Sequence, residues 1–173
     1  AIRMIGLIEN IDKEKQLRER LDSAEKTLTD AMDHITVGLQ IWSKDDKLVI
    51  CNERIKKDFR NFDVEMPTGL EYREMMKTFI ENGGIDLDQN IDIDQFTNEM
   101  IKKRWSIENK QTREVKISSG TFYQIADTRL SDGGLISIFS DITELKEREE
   151  DLTLNNEKLL NAREEAHNAN QAK

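Results

Sequence analysis

Two stretches of this 173-residue chain carry apolar residues at heptad spacing, and they frame a middle region of short alternating runs. In the first, Leu17, Leu21, Ala24, Leu28, Ala31 and Ile35 follow one another at intervals of 4-3-4-3-4, with charged residues between them. In the second, Leu145, Leu152, Leu159 and Ala166 recur every seven residues, and Arg148, Asn155, Ala162 and Ala169 lie three positions after each. Such narrow stripes predict helices that pair as two-stranded coiled coils, rather than helices laid broadly against their own domain. A helix over residues 142–173 would extend about 45 Å at 1.5 Å per residue. It must leave its domain, and it reads as an output lever.

Residues 1–11, AIRMIGLIENI, read as an extended segment with one glycine, and the helix pattern begins at Asp12. Segment 6–21 aligns without gaps on segment 137–152, placing Asn10 on Asp141, Ile11 on Ile142 and Leu21 on Leu152. The strand-to-helix switch and the heptad phase agree between the two, which is how a repeated module shows itself. Residues 1–11 are therefore expected to be the exit strand of a preceding module, and 12–35 a coiled-coil linker helix. An opening without methionine and an abrupt end at Ala172-Lys173 lead to the expectation of a piece of a longer protein.

Residues 36–141 predict one domain. VGLQIWSKDDKLVICNERI sets two short apolar strands around the polar turn Ser43–Lys47, and Asn52 stands where it can cap a helix opened by ERIKKDF. Pro67 and Gly69 break the chain, and Thr68 is placed to cap a helix carrying Leu70, Tyr72, Met75, Met76, Phe79 and Ile80. Gly83-Gly84 ends that helix. The acidic stretch 85–95 reads as a turn-rich loop before another helix over FTNEMIKKRWSIEN. Three strands follow, in TREVKIS, GTFYQIADTRLS and GLISIFSD, the last two joined at Ser131-Asp132-Gly133-Gly134. There the Asp-Gly pair supplies the positive φ of a tight hairpin. The expectation is an α+β fold, with a five-stranded antiparallel sheet and helices on one face.

Composition narrows the function. The hydrophobic fraction is 36% and the charged fraction 35%, against typical values of about 45–50% and about 25%. That balance fits a modest core flanked by long solvated helices. A net charge of −9 leaves no basic surface to displace counterions from phosphates, so a nucleic-acid partner is not expected. No apolar run is long enough to span a bilayer, so direct membrane insertion is not expected either. The single cysteine, Cys51, excludes an internal disulfide and a cysteine zinc cluster. It fits a cytoplasmic setting, with any membrane anchor elsewhere in the parent protein.

The order of elements, together with three stretches, resembles a PAS domain. These are Gly38-Leu39-Gln40-Ile41-Trp42, the CNERI segment, and SDGGLISIFSDITELK with its Asp141-Ile142-Thr143 junction. The resemblance covers residues 30–150 and implies a sensory or relay module whose movement leaves through that junction. The tail NAREEAHNANQAK is similar to the helix before the phosphoacceptor motif of sensor histidine kinases. This implies a two-component kinase as parent, with an upstream PAS copy and a downstream kinase domain in the same chain, and a response regulator as indirect partner. His167 lacks the acidic-Arg-Thr-Pro run that follows a phosphoacceptor and reads as a solvated residue. Two alternatives stay open: a structural dimerisation relay without ligand, and attachment to a diguanylate cyclase.

Candidate sites follow from both lines. Asp141, Ile142 and Thr143 are the expected signal-transmission residues, since Asp and Thr side chains can accept bonds from the orphan N–H groups of a helix start. The resemblance implies a basic partner for Asp141, and Arg129 and Lys47 are both available. A homodimer is expected through a seam of Leu17, Leu21, Leu28, Ile35, Leu145, Leu152 and Leu159. Arg148 and Asn155 weaken the exit half of that seam while setting its register. A ligand pocket would draw on Trp42, Cys51, Phe59, Tyr72, Met76, Trp105, Tyr123 and Phe139, a set that equally describes a filled core.

No cofactor is expected. His34 and His167 both lie outside the 53–107 helical region, where the resemblance implies a haem ligand would stand. The Asn-Cys-Arg-Phe-Leu-Gln motif of photosensory flavin domains is missing, and Cys51 reads as a small buried residue. Asp86, Asp88, Asp92 and Asp94 lack the Gly and terminal Glu of a calcium loop, so no metal is expected there. Without a phosphate loop, a nucleophile elbow or paired metal histidines, the chain is not expected to be an enzyme by itself.

Overall fold

In the computed structural model, the described residues are 2–88 and 91–171 for the backbone and 13–88 and 91–163 for the side chains. Helix α1 (Ile2–Asp33) leads into β1 (Gly38–Trp42) and β2 (Leu48–Cys51). Three helices follow, α2 (Glu53–Arg60), α3 (Tyr72–Glu81) and α4 (Ile93–Trp105). Strands β3 (Lys110–Lys116), β4 (Phe122–Arg129) and β5 (Leu135–Asp141) then run into α5 (Thr143–Gln171). The sheet order is β2-β1-β5-β4-β3, and every neighbouring pair is antiparallel. The first and last strands in sequence thus meet at the centre, where Gln40 faces Ser137 and Trp42 faces Leu135.

The alternation of strand residues sorts them onto two faces. Gln40, Trp42, Tyr123, Ile125, Asp127, Leu135 and Ser137 are buried, while Leu39, Ile41, Ile136 and Ile138 between them are only half-buried. Helices supply the other wall of the core with Ile55, Phe59, Tyr72, Met75, Met76, Phe79 and Ile80. Gly38 lets α2 lie directly on β1, because a Cβ there would come 2.9 Å from Ile55 Cδ1. The β4–β5 hairpin turns at Gly133, whose φ of 86° suits glycine.

Several expectations are corrected. The segment 1–11, expected as an exit strand, is helical from Ile2 onward and continuous with α1. Ile2, Ile5, Ile8 and Ile11 recur every three residues, a period that suits a helix better than alternation does, and a helix satisfies its own backbone without a neighbouring strand. Helix α4 begins inside the stretch expected to be an acidic loop, because Asp92 accepts bonds from the Asp94 and Gln95 N–H groups and caps it. Thr68 does not cap α3, which starts three residues beyond Gly69; its hydroxyl donates to Val49 O at 3.4 Å.

Asn52 joins three elements at the start of α2. Its Oδ1 accepts from Leu39 N at 3.0 Å and from Ile55 N at 3.3 Å. Its Nδ2 donates to Val37 O at 2.9 Å and Met32 O at 3.1 Å. The side chain is buried with all four of these bonds made, so it caps α2 and also ties the end of α1 to β1. Asn52→Ala should lower unfolding free energy by about 2–3 kcal/mol, since buried backbone groups are left unpaired; urea unfolding followed by circular dichroism checks this.

Candidate functional site

The last turn of α4 carries Lys102, Lys103 and Arg104, where cations complement the helix dipole. Arg104 turns inward and is only 4% exposed. Its guanidinium carbon lies 4.3 Å from the Tyr72 ring centroid and 5.0 Å from that of Trp42. Nη1 donates to Ser137 Oγ at 3.3 Å and lies 3.9 Å from Asp127 Oδ1, while Nε stands 3.4 Å from Asp46 Oδ1 without hydrogen-bond alignment. Asp127 is fully buried; it accepts the Ser137 hydroxyl at 2.5 Å and an Arg113 Nη1–H. One buried cation therefore holds β1, the β1–β2 turn, α3, β4 and β5 around α4.

Beside this network lies a cavity of about 70 Å³ between the sheet and the helices. Its wall is largely apolar, with Met75, Met76 and Met100 from the helices and Ile125 and Phe139 from the sheet. Gln40, Arg104 and Arg113 bring polar groups to it. Gln40 Oε1 accepts from Trp42 Nε1 at 3.1 Å. Gln40 Nε2, Arg104 Nη2 and Arg113 Nε are buried and find no hydrogen-bond partner among the described residues. Tyr72 is buried against Arg104, and burial pushes its hydroxyl pKa up.

On another side of the cavity, Tyr123 donates to Asp58 Oδ2 at 2.5 Å. Burial, and then the bond to Asp58, push the Tyr123 pKa up. Asp58 also faces Arg54 Nη1 at 3.6 Å, and Arg54 Nη2 reaches Asp141 Oδ2 at 3.4 Å. Asp141 Oδ1 accepts the Thr143 hydroxyl at 2.6 Å and the Thr143 N–H at 3.0 Å. Thr143 Oγ1 in turn accepts from Phe122 N at 3.0 Å, and Ile142 N donates to Phe122 O at 2.8 Å. Lys146, one turn into α5, pairs with Glu114 of β3 at 2.8 Å. The start of α5 is thus latched to the sheet and, through Arg54, linked to the cavity wall.

Phe59, Tyr72, Met76, Tyr123 and Phe139, all expected at a pocket, line this cavity. Trp42, Cys51 and Trp105 do not. Trp42 is packed in the core, and Cys51 lines a separate recess between α1 and β2, where burial raises its thiol pKa. Trp105 lies under the Arg129 guanidinium at 4.6 Å. The basic partner of Asp141 is Arg54, not Arg129 or Lys47. Arg129 sits opposite Leu135, at the far end of β5 from Asp141, and donates to Trp105 O at 2.8 Å; Lys47 closes the β1–β2 turn, where its backbone pairs with that of Glu71. Leu17, Leu21, Leu28, Ile35, Leu145, Leu152 and Leu159 are all exposed on the single chain. The side chains of Ala166, His167 and Ala169 lie outside the described residues. Sequence reasoning passed over Gln40, Arg104 and Arg113, since the charged run 102–104 looks like an ordinary solvated helix end.

Residues 32–150 match the protein family described as PAS fold. Over 162 residues the chain is 25% identical to the non-motile and phage-resistance protein of Caulobacter vibrioides, a match that covers 92% of this chain and 17% of that protein. Among solved structures it is similar to the PAS domain of Bordetella pertussis BvgS, at 17% identity, with a TM-score of 0.46, 82% of this chain covered and 98% of that one. It is also similar to a domain of the sensory box sensor histidine kinase/response regulator of Geobacter sulfurreducens. That second likeness has 14% identity, a TM-score of 0.40, and coverage of 70% of this chain and 96% of that one.

Two measurements check these networks. Asp127→Ala strips the two arginines of their buried counter-charge and should destabilise the domain by about 3–5 kcal/mol in urea unfolding. The Thr143 hydroxyl, then its N–H and Arg54, hold the Asp141 carboxyl below its ordinary value of 3.8. A lowered folded-state pKa means that the latch contributes fully above the unfolded value and is lost as pH falls through the folded one. In a carbon-detected NMR titration Asp141 should titrate below 3.8, and Thr143→Val should move that midpoint upward.

Proposed function

The chain belongs to the PAS fold family, and on that premise we propose that it is a sensory and relay module of a two-component sensor histidine kinase. The arrangement that carries this reading is the start of α2. Asn52 bonds the end of α1 through Met32 O, and Glu53 N donates to Asp33, the last residue of α1, at 3.0 Å. Arg54, the next residue, reaches Asp141 at the root of α5. Three consecutive residues therefore hold the incoming and outgoing helices together. A tilt of α2, or a change at the Tyr123–Asp58 wall, alters the latch on α5 and biases two arrangements of the exit helix.

In this reading the module works as a homodimer in the cytoplasmic part of its parent, without haem or photosensory flavin. The exposed leucines of α1 and α5 form its seam, and Arg148 and Asn155 keep the exit half weak enough to switch. The similarity of the tail to a pre-phosphoacceptor helix supports a kinase domain downstream, with a response regulator as the eventual recipient. The small share of the Caulobacter protein that the chain matches suits a module within a larger protein. A relay without ligand is the second reading, favoured by the α1–α2–α5 contacts, which do not cross the cavity.

Asp141→Ala in the intact parent protein should leave autophosphorylation measurable but unresponsive to the upstream signal. An unchanged response would refute the latch as the transmission point. Asn155→Leu should tighten the dimer by about tenfold in sedimentation equilibrium and hold autophosphorylation at one level; unchanged affinity would mean that the seam is misassigned.

A further inference from the structure

We propose that the inner cavity binds a small aliphatic monocarboxylate, with the carboxylate held by Gln40, Arg104 and Arg113 and the alkyl end against methionine. The inference deepens the sensory reading above and rests on it.

The first observation is an imbalance of hydrogen-bonding groups. Gln40 and Arg104 are 1% and 4% exposed, both line the cavity, and each keeps a buried donor without a partner. Arg113 adds a third such donor at the same wall. Except for Asp46 Oδ1, which stands 3.4 Å from Arg104 Nε without hydrogen-bond alignment, the acceptors nearby are already engaged. Gln40 Oε1 is taken by Trp42, Asp127 by Ser137 and Arg113, and Asp58 by Tyr123 and Arg54. Buried donors are normally satisfied, and leaving one unmade is costly. Three together call for a molecule that brings acceptors.

The number and geometry of the donors select among acceptors. Two guanidinium groups, Arg104 and Arg113, converge on a single fully buried carboxylate, Asp127. The other acid near Arg104, Asp46, lies on the β1–β2 turn and is partly open to solvent. Asp46 and Asp127 together match the two guanidinium charges, but a neutral carbonyl oxygen has only two lone pairs for the three donors, whereas the two oxygens of a carboxylate have about four. Guanidinium also matches the two oxygens of a carboxylate.

Size and lining select the rest. A cavity of about 70 Å³ is roughly half of one that holds benzene, which limits the guest to roughly two to four carbons. Away from the three donors and the Asp58 carboxylate, which Tyr123 and Arg54 engage, the wall is largely apolar, made by Met75, Met76, Met100, Ile125 and Phe139. Water alone would have partners only at the donor end, whereas an alkyl chain uses both ends. Binding there would alter the wall shared with Tyr123 and Asp58, and so reach Arg54 and the α5 latch.

Titration of the purified chain with sodium propionate at constant ionic strength, followed by calorimetry and methionine-methyl NMR, tests this. Saturable one-to-one binding is expected, with shifts at Met75, Met76 and Met100. Propionamide, similar in shape but uncharged, should bind at least about tenfold more weakly. Gln40→Glu, which sets a carboxylate among the donors, should weaken propionate by about tenfold or more. Met100→Phe, which fills the apolar end without touching a polar group, should abolish binding while the circular dichroism spectrum is kept. The proposal is overturned if acetate, propionate and butyrate all fail to saturate, if propionamide matches propionate, or if Met100→Phe binds undiminished. Any of these leaves the Asp141→Ala result standing, so failure of the ligand and failure of the relay read out separately.

Discussion

A guanidinium held almost wholly out of water organises this domain. Arg104 cannot shed its charge, and removing an ion from water costs several kcal/mol even after the surroundings relax. The protein offsets that cost with the faces of Tyr72 and Trp42, the Ser137 hydroxyl, and the charges of Asp46 and Asp127. Those partners come from elements far apart in sequence, so α4 can take only one position against the sheet. A leucine in the same place would pack with less geometric demand. The polar choice fixes the relative placement of α3, α4 and the central strands, and with it the shape of the cavity they enclose.

That rigidity stands in contrast to the latch at the other end of β5. Asp141 is 41% exposed, and an ion pair at such a place is worth about 1 kcal/mol or less. Its partners are nonetheless numerous: Thr143 twice, Arg54, and through Thr143 the N–H of Phe122. Several weak contacts that share atoms are made or lost as a group, and their sum stays within the range that a ligand or a partner helix can bias. In the proposed reading, a strong anchor under the cavity and a weak one under the exit helix divide the two tasks of a switch between different chemistries.

The sequence conveyed the parts of this arrangement that are local. The Asp-Gly turn before β5, the alternation of β1, the cap at Asn52 and the Asp141–Thr143 junction each depend on residues a few positions apart, and they were readable. What escaped was long-range. Arg104 follows two exposed lysines, and nothing local distinguishes it from them; only the packing of α4 on β4 and β5 turns it inward. Arg54 was passed over as the partner of Asp141 because the pairing depends on α2 lying across β1, which Gly38 permits but does not announce. Residues 2–11 misled in the opposite sense, since their β-branched apolar content suggests a strand while the three-residue spacing of their isoleucines favours a helix. Trp105 shows the limit of aromatic content as a guide, since its ring serves Arg129 rather than the cavity.

In the proposed reading, the placement of α2 lets one small domain serve both as sensor and as relay. Its first residues touch both long helices, and its next turn, at Asp58, touches Tyr123 of the cavity wall. Ile55 and Phe59, on the same helix, pack into the core and line the cavity itself. In that reading an event that reaches α2, whether a shift of α1 through Asp33 or a guest behind Tyr123, would be delivered to the same pair, Arg54 and Asp141. The exit helix would then respond to both inputs through one route, and the domain would need no separate route for each.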